Sequence, residues 1–148
     1  MACVIVGDRD CDPDILKFPE LIILRKALSV DLLDGETLAV LKRLERPEDT
    51  LSFFDEVIAS FEQETPYLLG LLSEAIREHS ASSISHCAHQ LKGLCGNIGI
   101  NRLAALCEVI EEHAEGIQQL QPLIIRRLVE KTYAESIKEL ELNWKRET

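Results

Sequence analysis

The sequence predicts an all-α fold, an antiparallel four-helix bundle with additional short helices at its N-terminal end. Two observations carry this prediction. Apolar residues recur at helical spacing along most of the chain, and aromatic residues, which are enriched in β-sandwiches, make up only 5% of it. The links between the periodic segments are short, so consecutive helices are expected to lie antiparallel to one another.

The chain is interpreted as two units, an N-terminal extension over residues 1–33 and a helical bundle domain over residues 34–148. Within the extension, a helix is predicted from about Glu20 to Leu28. Asp34 is a good helix-capping residue, and the short helix that it opens is expected to end at Pro47.

Three further helices are predicted before the turn in the middle of the bundle domain. One begins near Glu48. Pro66 is then expected to open another, because proline is favoured in the first turn of a helix. The third spans about Ser82 to Gly96 and is broken by the sequence GNIG, in which Gly99 suits a left-handed turn.

Two helices complete the predicted bundle. The first presents an apolar stripe that ends at Cys107 and Ile110, and the second runs from about Gln119 to Lys145. Cys95 and Cys107 fall on apolar helical faces and are expected to be core thiols. Five cysteines without a regular framework indicate a reducing compartment.

Composition excludes several classes of function. The formal net charge is −10, which disfavours nucleic acids and anionic membrane surfaces as partners. No apolar run reaches the roughly 18 residues that a membrane span needs. The first residues lack the basic start of a secretory signal, so a cytoplasmic protein is expected.

The most informative segment is AHQLKGLCGNIG, residues 88–99. His89 lies roughly 170° from the apolar stripe of its helix and should face solvent. Gly93 and Gly96 lie on the same face, although a glycine inside a helix costs about 1 kcal/mol relative to alanine. The missing side chains would let a partner approach the imidazole, and Lys92 could place a cation beside a negatively charged group bound there.

This segment resembles the signature of histidine-containing phosphotransfer (HPt) domains, an Ala-His-x-Leu-Lys-Gly run followed by a glycine in the next turn. The resemblance extends over roughly residues 33–145. It departs from the family pattern at Leu94 and Cys95, where many members carry small hydroxyl residues. The resemblance implies a phosphorelay intermediate in which His89 accepts a phosphoryl group from a receiver-domain aspartyl phosphate and passes it to another receiver.

Specific roles follow from the resemblance. Lys92 would offset the charge of the phosphate, and Gly93 would give the receiver access. Contacts with the partner are expected from Gln90, Gly96 and His86. Helical spacing places Phe53, an aromatic residue, at the edge of its helix's apolar stripe, where it is either part of the docking surface or a residue at the margin of the core. The partners implied are response-regulator receiver domains and a hybrid sensor histidine kinase. No cofactor is expected on this chain, because the Mg²⁺ would belong to the receiver.

Three alternatives compete with the relay intermediate. A non-catalytic helical adaptor would explain the bundle but not Gly93. A phosphoacceptor domain of a chemotaxis-type kinase would take its phosphate from a kinase that uses ATP. A metal site that combines His86, Cys87, His89 and Cys95 conflicts with helical geometry, because the cysteines point to the core and the histidines point outward.

Overall fold

The computed structural model describes residues 19–44, 52–117 and 122–144, and these form helices and short connections. The seven helices in the described residues are α1 (Pro19–Leu28), α2 (Gly35–Arg43), α3 (Phe53–Arg77), α4 (Ala81–Ile98), α5 (Asn101–Glu112), α6 (Ala114–Ile117) and α7 (Pro122–Asn143). The predicted all-α fold is confirmed. The expected helix ends at Pro47, Gln119 and Lys145 lie outside the described residues, as do residues 1–18.

The four long helices α3, α4, α5 and α7 form the bundle. Two ring contacts show that α3 and α7 are antiparallel, because Phe54 packs against Trp144 while Phe61 packs against Tyr133. Between the helices lies one continuous apolar core to which all four contribute buried side chains. The predicted four-helix bundle with additional short helices is therefore present.

Side-chain caps fix where the helices begin. Asp34 caps α2 by accepting a hydrogen bond from the Glu36 backbone at 3.1 Å. Ser52 caps α3 through the Asp55 backbone, so that helix begins at Phe53 and not near Glu48 as predicted. Such caps typically contribute about 1 kcal/mol each.

The turn between α4 and α5 is built on Gly99, as the sequence predicts. Gly99 has a φ of +84°, and a Cβ there would meet the Asp34 carbonyl oxygen at 3.0 Å. The expectation that the helix ends at Gly96 is wrong, since α4 continues to Ile98. Ile98 is buried, and its burial favours the additional residues of the helix.

Pro66 does not open a helix. It lies inside α3, which is continuous from Phe53 to Arg77. An internal proline costs roughly 3 kcal/mol, because it has no N–H to donate to the preceding turn. Phe61 and Leu69, on either side of it, are both buried, and burial of such side chains contributes roughly 1.5–3 kcal/mol each. Packing on both sides therefore outweighs the local cost, while the proline ring itself is exposed.

One buried hydroxyl in α3 lacks a partner within the described part of the chain. Thr65 is fully buried and its Oγ1 makes no hydrogen bond. An unsatisfied buried polar group costs about 1–3 kcal/mol. We expect Thr65→Val to raise the free energy of unfolding by about 1 kcal/mol in a urea titration. Thr132→Val is the control, because Thr132 Oγ1 donates to the Leu128 carbonyl at 2.8 Å. Equal effects of the two substitutions would contradict this account.

The first described helix packs on the bundle. Leu24 and Ala27 of α1 are buried against the core, and α1 lies against α5. The segment that follows α1 is tied to the start of α5, because Arg102 Nε donates to the Val30 carbonyl and Asn101 Nδ2 donates to the Asp31 carbonyl, both at 2.9 Å. The described part of the 1–33 extension is thus in contact with the bundle domain.

The described cysteines are core residues. Cys87, Cys95 and Cys107 are free thiols and all three are buried. Burial raises the pKa of the Cys95 thiol to about 12, which makes thiolate chemistry there unfavourable at neutral pH. None of the described helices is both long enough and apolar enough to cross a membrane.

Candidate functional site

The candidate site is centred on His89, in the middle of α4. The helix turns its apolar face, which includes Ala88 and Leu91, into the core, and His89 on the opposite side is 65% exposed. The sequence-based prediction that this imidazole faces solvent is therefore confirmed. An exposed ring in the middle of a rigid helix is accessible to a macromolecular partner.

A carboxylate from the neighbouring helix holds the ring. Glu111 Oε2 lies 2.9 Å from His89 Nδ1, and Glu111 Oε1 lies 3.0 Å from Lys92 Nζ. One carboxylate thus bridges the predicted histidine and the predicted lysine. Glu111 is half-buried between α4 and α5, where water screens these contacts less than on an open surface.

The contacts among Glu111, His89 and Lys92 shift the pKa values of Glu111 and Lys92. The ion pair with Lys92 and, after it, the hydrogen bond with His89 keep the pKa of Glu111 below its usual value despite partial burial. The same contact with Glu111 raises the pKa of Lys92. Because the pKa of Glu111 is lowered in the folded protein, the ionised carboxylate stabilises the folded state at neutral pH. This stabilisation is lost only as the pH falls through the lowered pKa.

This arrangement determines which ring nitrogen of His89 carries the hydrogen. An ionised carboxylate can only accept a hydrogen bond, so the Nδ1 atom of His89 must be the donor. When the ring is neutral, its lone pair is then on Nε2, on the other side of the ring. The ring is largely exposed, and a carboxylate holds it from the Nδ1 side, opposite the lone pair on Nε2.

The two predicted glycines leave the approach to His89 open. A Cβ added at Gly93 or at Gly96 would meet nothing within 4 Å, and both residues are exposed. Core packing therefore does not require glycine at either position. His86 and Gln90 are also exposed on α4. Their contacts with a partner stay predictions.

The other predicted site residues occupy different surroundings. Lys92 is paired with the carboxylate on the Nδ1 side of the ring, so direct contact between its ammonium and a phosphoryl group stays a prediction.

Phe53 is half-buried at the first position of α3. Because α3 and α4 are antiparallel, it lies roughly 24 Å from the level of His89 along the bundle axis at 1.5 Å per residue. Its proposed contact with a partner is likewise untested.

Glu111 is the residue that sequence analysis missed. It lies 22 positions from His89, and no local motif connects the two. One signal was available. His89 and Glu111 are equally distant from Ile100, next to the turn of the α4–α5 hairpin, and residues equally distant from a hairpin turn lie at the same level in antiparallel helices.

Comparison with known proteins identifies the family of this chain. The family model described as Hpt domain matches residues 56–141, more than half of the chain, and the match includes His89, Lys92, Gly93 and Glu111. No curated protein gives a significant match. Hpt domains are phosphocarriers that interact with receiver domains and histidine kinases in two-component signalling. With its all-α bundle and an exposed histidine within the matched segment, this chain belongs to the Hpt domain family.

Proposed function

We propose that the chain is a phosphorelay intermediate in which His89 accepts a phosphoryl group from the aspartyl phosphate of one receiver domain and passes it to another. The observation that carries this proposal is the contact between Glu111 and His89 Nδ1 at 2.9 Å, because it directs the Nε2 lone pair outward. Membership of the Hpt family supports the general role, and the exposed ring supports transfer to a docked protein.

The step is a displacement at phosphorus. The Nε2 lone pair of His89 forms the new N–P bond while the bond from phosphorus to the aspartyl oxygen breaks, and the carboxylate of the receiver leaves with that electron pair. The imidazole ring gains positive charge as the bond forms. Glu111, which accepts the Nδ1 hydrogen, stabilises this charge in the way that the aspartate of a catalytic triad stabilises an imidazolium.

Transfer to the second receiver reverses these events. A carboxylate oxygen of that receiver attacks the phosphorus, the N–P bond breaks, and the electron pair returns to Nε2. No proton has to enter or leave the ring in either direction. Phosphoryl transfer depends mainly on alignment and charge stabilisation, so a rigid helix that carries an oriented imidazole is a suitable carrier. In this proposal the Mg²⁺ belongs to the receiver, and Lys92 keeps Glu111 in place.

The direct test is incubation with purified receiver domains that have been phosphorylated with acetyl phosphate. We expect the chain to acquire acid-labile, base-stable phosphate, and ³¹P and ¹⁵N NMR should locate it on Nε2 of His89. Labelling by a histidine kinase and ATP but by no receiver would favour the phosphoacceptor domain of a kinase. Absence of label from either donor would favour the helical adaptor.

Removal of the orienting carboxylate should slow transfer. In metal sites, groups that orient a histidine typically contribute roughly 10–100-fold to activity, and we expect a loss of this order for Glu111→Ala. Glu111→Gln should retain more activity, since its amide oxygen can still accept from Nδ1. The ¹⁵N shifts of the His89 ring should show less of the Nδ1–H tautomer in Glu111→Ala. Glu130→Ala, an exposed substitution on α7, is the control. An unchanged tautomer with unchanged transfer would exclude the orienting role.

A further inference from the structure

Two exposed apolar side chains form a patch on α3. Tyr67 is 68% exposed and Leu71 is 38% exposed. They are four residues apart and therefore lie on the same face of the helix. Half-buried Leu68 lies beside them and packs against the core. Adjacent exposed aromatic and aliphatic residues are typical of interaction surfaces, whereas single exposed apolar residues are ordinary.

The patch lies at the height of the candidate site. The antiparallel helices α3 and α4 are joined by the turn around His79, and residues equally distant from that turn lie at the same level. Tyr67 is therefore level with Leu91, between His89 and Gly93. It is far closer to the site than Phe53, which stands at the other end of α3.

Helical geometry also gives the direction of the patch. Gly70, Ser73, Glu74 and Arg77 line the groove between α3 and α7. At about 100° per residue, Leu71 lies roughly 110° around α3 from the middle of that face, in the direction of α4. The apolar patch thus borders the exposed face of α4 on which His89 lies.

The opposite border of the site is anionic. Glu108 and Glu112 are exposed on α5, on either side of Glu111 in sequence. Both lie close enough to Lys92 for their charges to add to that of Glu111 in raising the pKa of the lysine. This side of the site therefore holds three carboxylates and one ammonium group, and it carries net negative charge.

We infer that the receiver docks across three helices, with an apolar surface over Tyr67 and Leu71 of α3 and a cationic surface over Glu108 and Glu112 of α5. This inference rests on the proposed function. It specifies the partner as a receiver whose phosphorylated aspartate lies between an apolar region and a basic region. A typical interface of about 800 Å² per partner is about 30 Å across, and helices packed 8–10 Å apart place α3, α4 and α5 within it.

Different contacts on the two borders would fix the orientation of the receiver. Apolar contact alone would let a docked domain rotate about the axis through His89. Attraction between the anionic border and a basic region of the receiver would favour one of these orientations. In-line phosphoryl transfer requires such alignment, because the Nε2 lone pair must face the P–O bond that breaks. Apolar contact is expected to supply most of the affinity, and charge to supply orientation and rate of association.

The test uses the full chain and a panel of purified receiver domains phosphorylated with acetyl phosphate. For receivers that label the parent chain, KM is measured at low and high salt. The double substitution Tyr67→Ala/Leu71→Ala should raise KM about tenfold or more at both salt concentrations. Leu142→Ala, at a residue that is 70% exposed on α7, is the apolar control and should leave KM unchanged.

The charge arm uses Glu108→Gln/Glu112→Gln. It should raise KM several-fold at low salt and weaken the dependence of KM on salt, since screening then has less attraction to remove. Glu74→Gln/Glu130→Gln changes net charge equally on the α3–α7 groove and should preserve that dependence. An equal dependence of KM on salt in the two charge variants, or an unchanged KM in the α3 variant, would overturn the docking arrangement. If no receiver labels the parent chain, the proposed function fails, and the docking inference fails with it.

Discussion

Replacement of His89 with glutamine is expected to abolish phosphorylation of the chain by any phosphorylated receiver. The amide side chain is similar in length but has no nucleophilic nitrogen. The measurement is acid-labile label on the purified variant after incubation with a receiver that labels the parent chain. The fold should be retained, because His89 is 65% exposed and its side chain contributes nothing to the buried core.

His86→Gln is the matched control. His86 is exposed on the same helix, three residues before His89, and is the natural competitor for the phosphoryl group. The contact with Glu111, however, is made by His89. We therefore expect His86→Gln to retain most of the label. Loss of label in His86→Gln with retention in His89→Gln would transfer the assignment to His86.

Substitution of Gly93 is expected to separate stability from transfer. A Cβ at this position meets nothing within 4 Å, so Gly93→Ala should raise stability by up to about 1 kcal/mol through its better helix propensity. Gly93→Gln should also fold, but its side chain would project into the path of the receiver. Because a misplacement of about 1 Å can cost roughly 100-fold in rate, we expect transfer to slow by roughly tenfold or more.

Gly70 provides the control for this experiment. It is another glycine inside a helix at which an added Cβ would meet nothing within 4 Å, but it lines the groove between α3 and α7. Gly70→Gln should fold as Gly93→Gln does and leave transfer at the parental rate. Equal slowing by both variants, or none by Gly93→Gln, would contradict the steric role of Gly93.

Sequence periodicity predicts most of the fold because the determining forces are local or follow from burial of one helix face. The helix over Glu20–Leu28, the cap at Asp34 and the left-handed Gly99 are all visible as residue patterns. Pro66 is misassigned from sequence because its local preference for a first turn competes with burial of the residues on both sides. That balance depends on partner helices that the local sequence does not specify.

For the candidate site, too, some features follow from the sequence and others only from the tertiary structure. The position of His89 on the exposed face, with Gly93 and Gly96 beside it, follows from 3.6 residues per turn and needs no tertiary information. The bridging carboxylate does not follow from one helix, because Glu111 reaches His89 only when α5 folds back along α4. The pairing of Lys92 with Glu111 is likewise visible only in the folded chain, and the expected role of Lys92 in offsetting the charge of a phosphate stays a prediction.

By itself, then, the sequence of this protein determined which side chains lie on the same helical face, because that geometry is set within a few residues by backbone hydrogen bonding. Tertiary structure decided which faces meet. It brought Glu111 to the Nδ1 side of His89 and placed Tyr67 level with the site, whereas Phe53 lies at the far end of its helix. The physical reason is that contacts between helices depend on how the whole set of apolar faces packs into one core, and that arrangement is not encoded in any single segment.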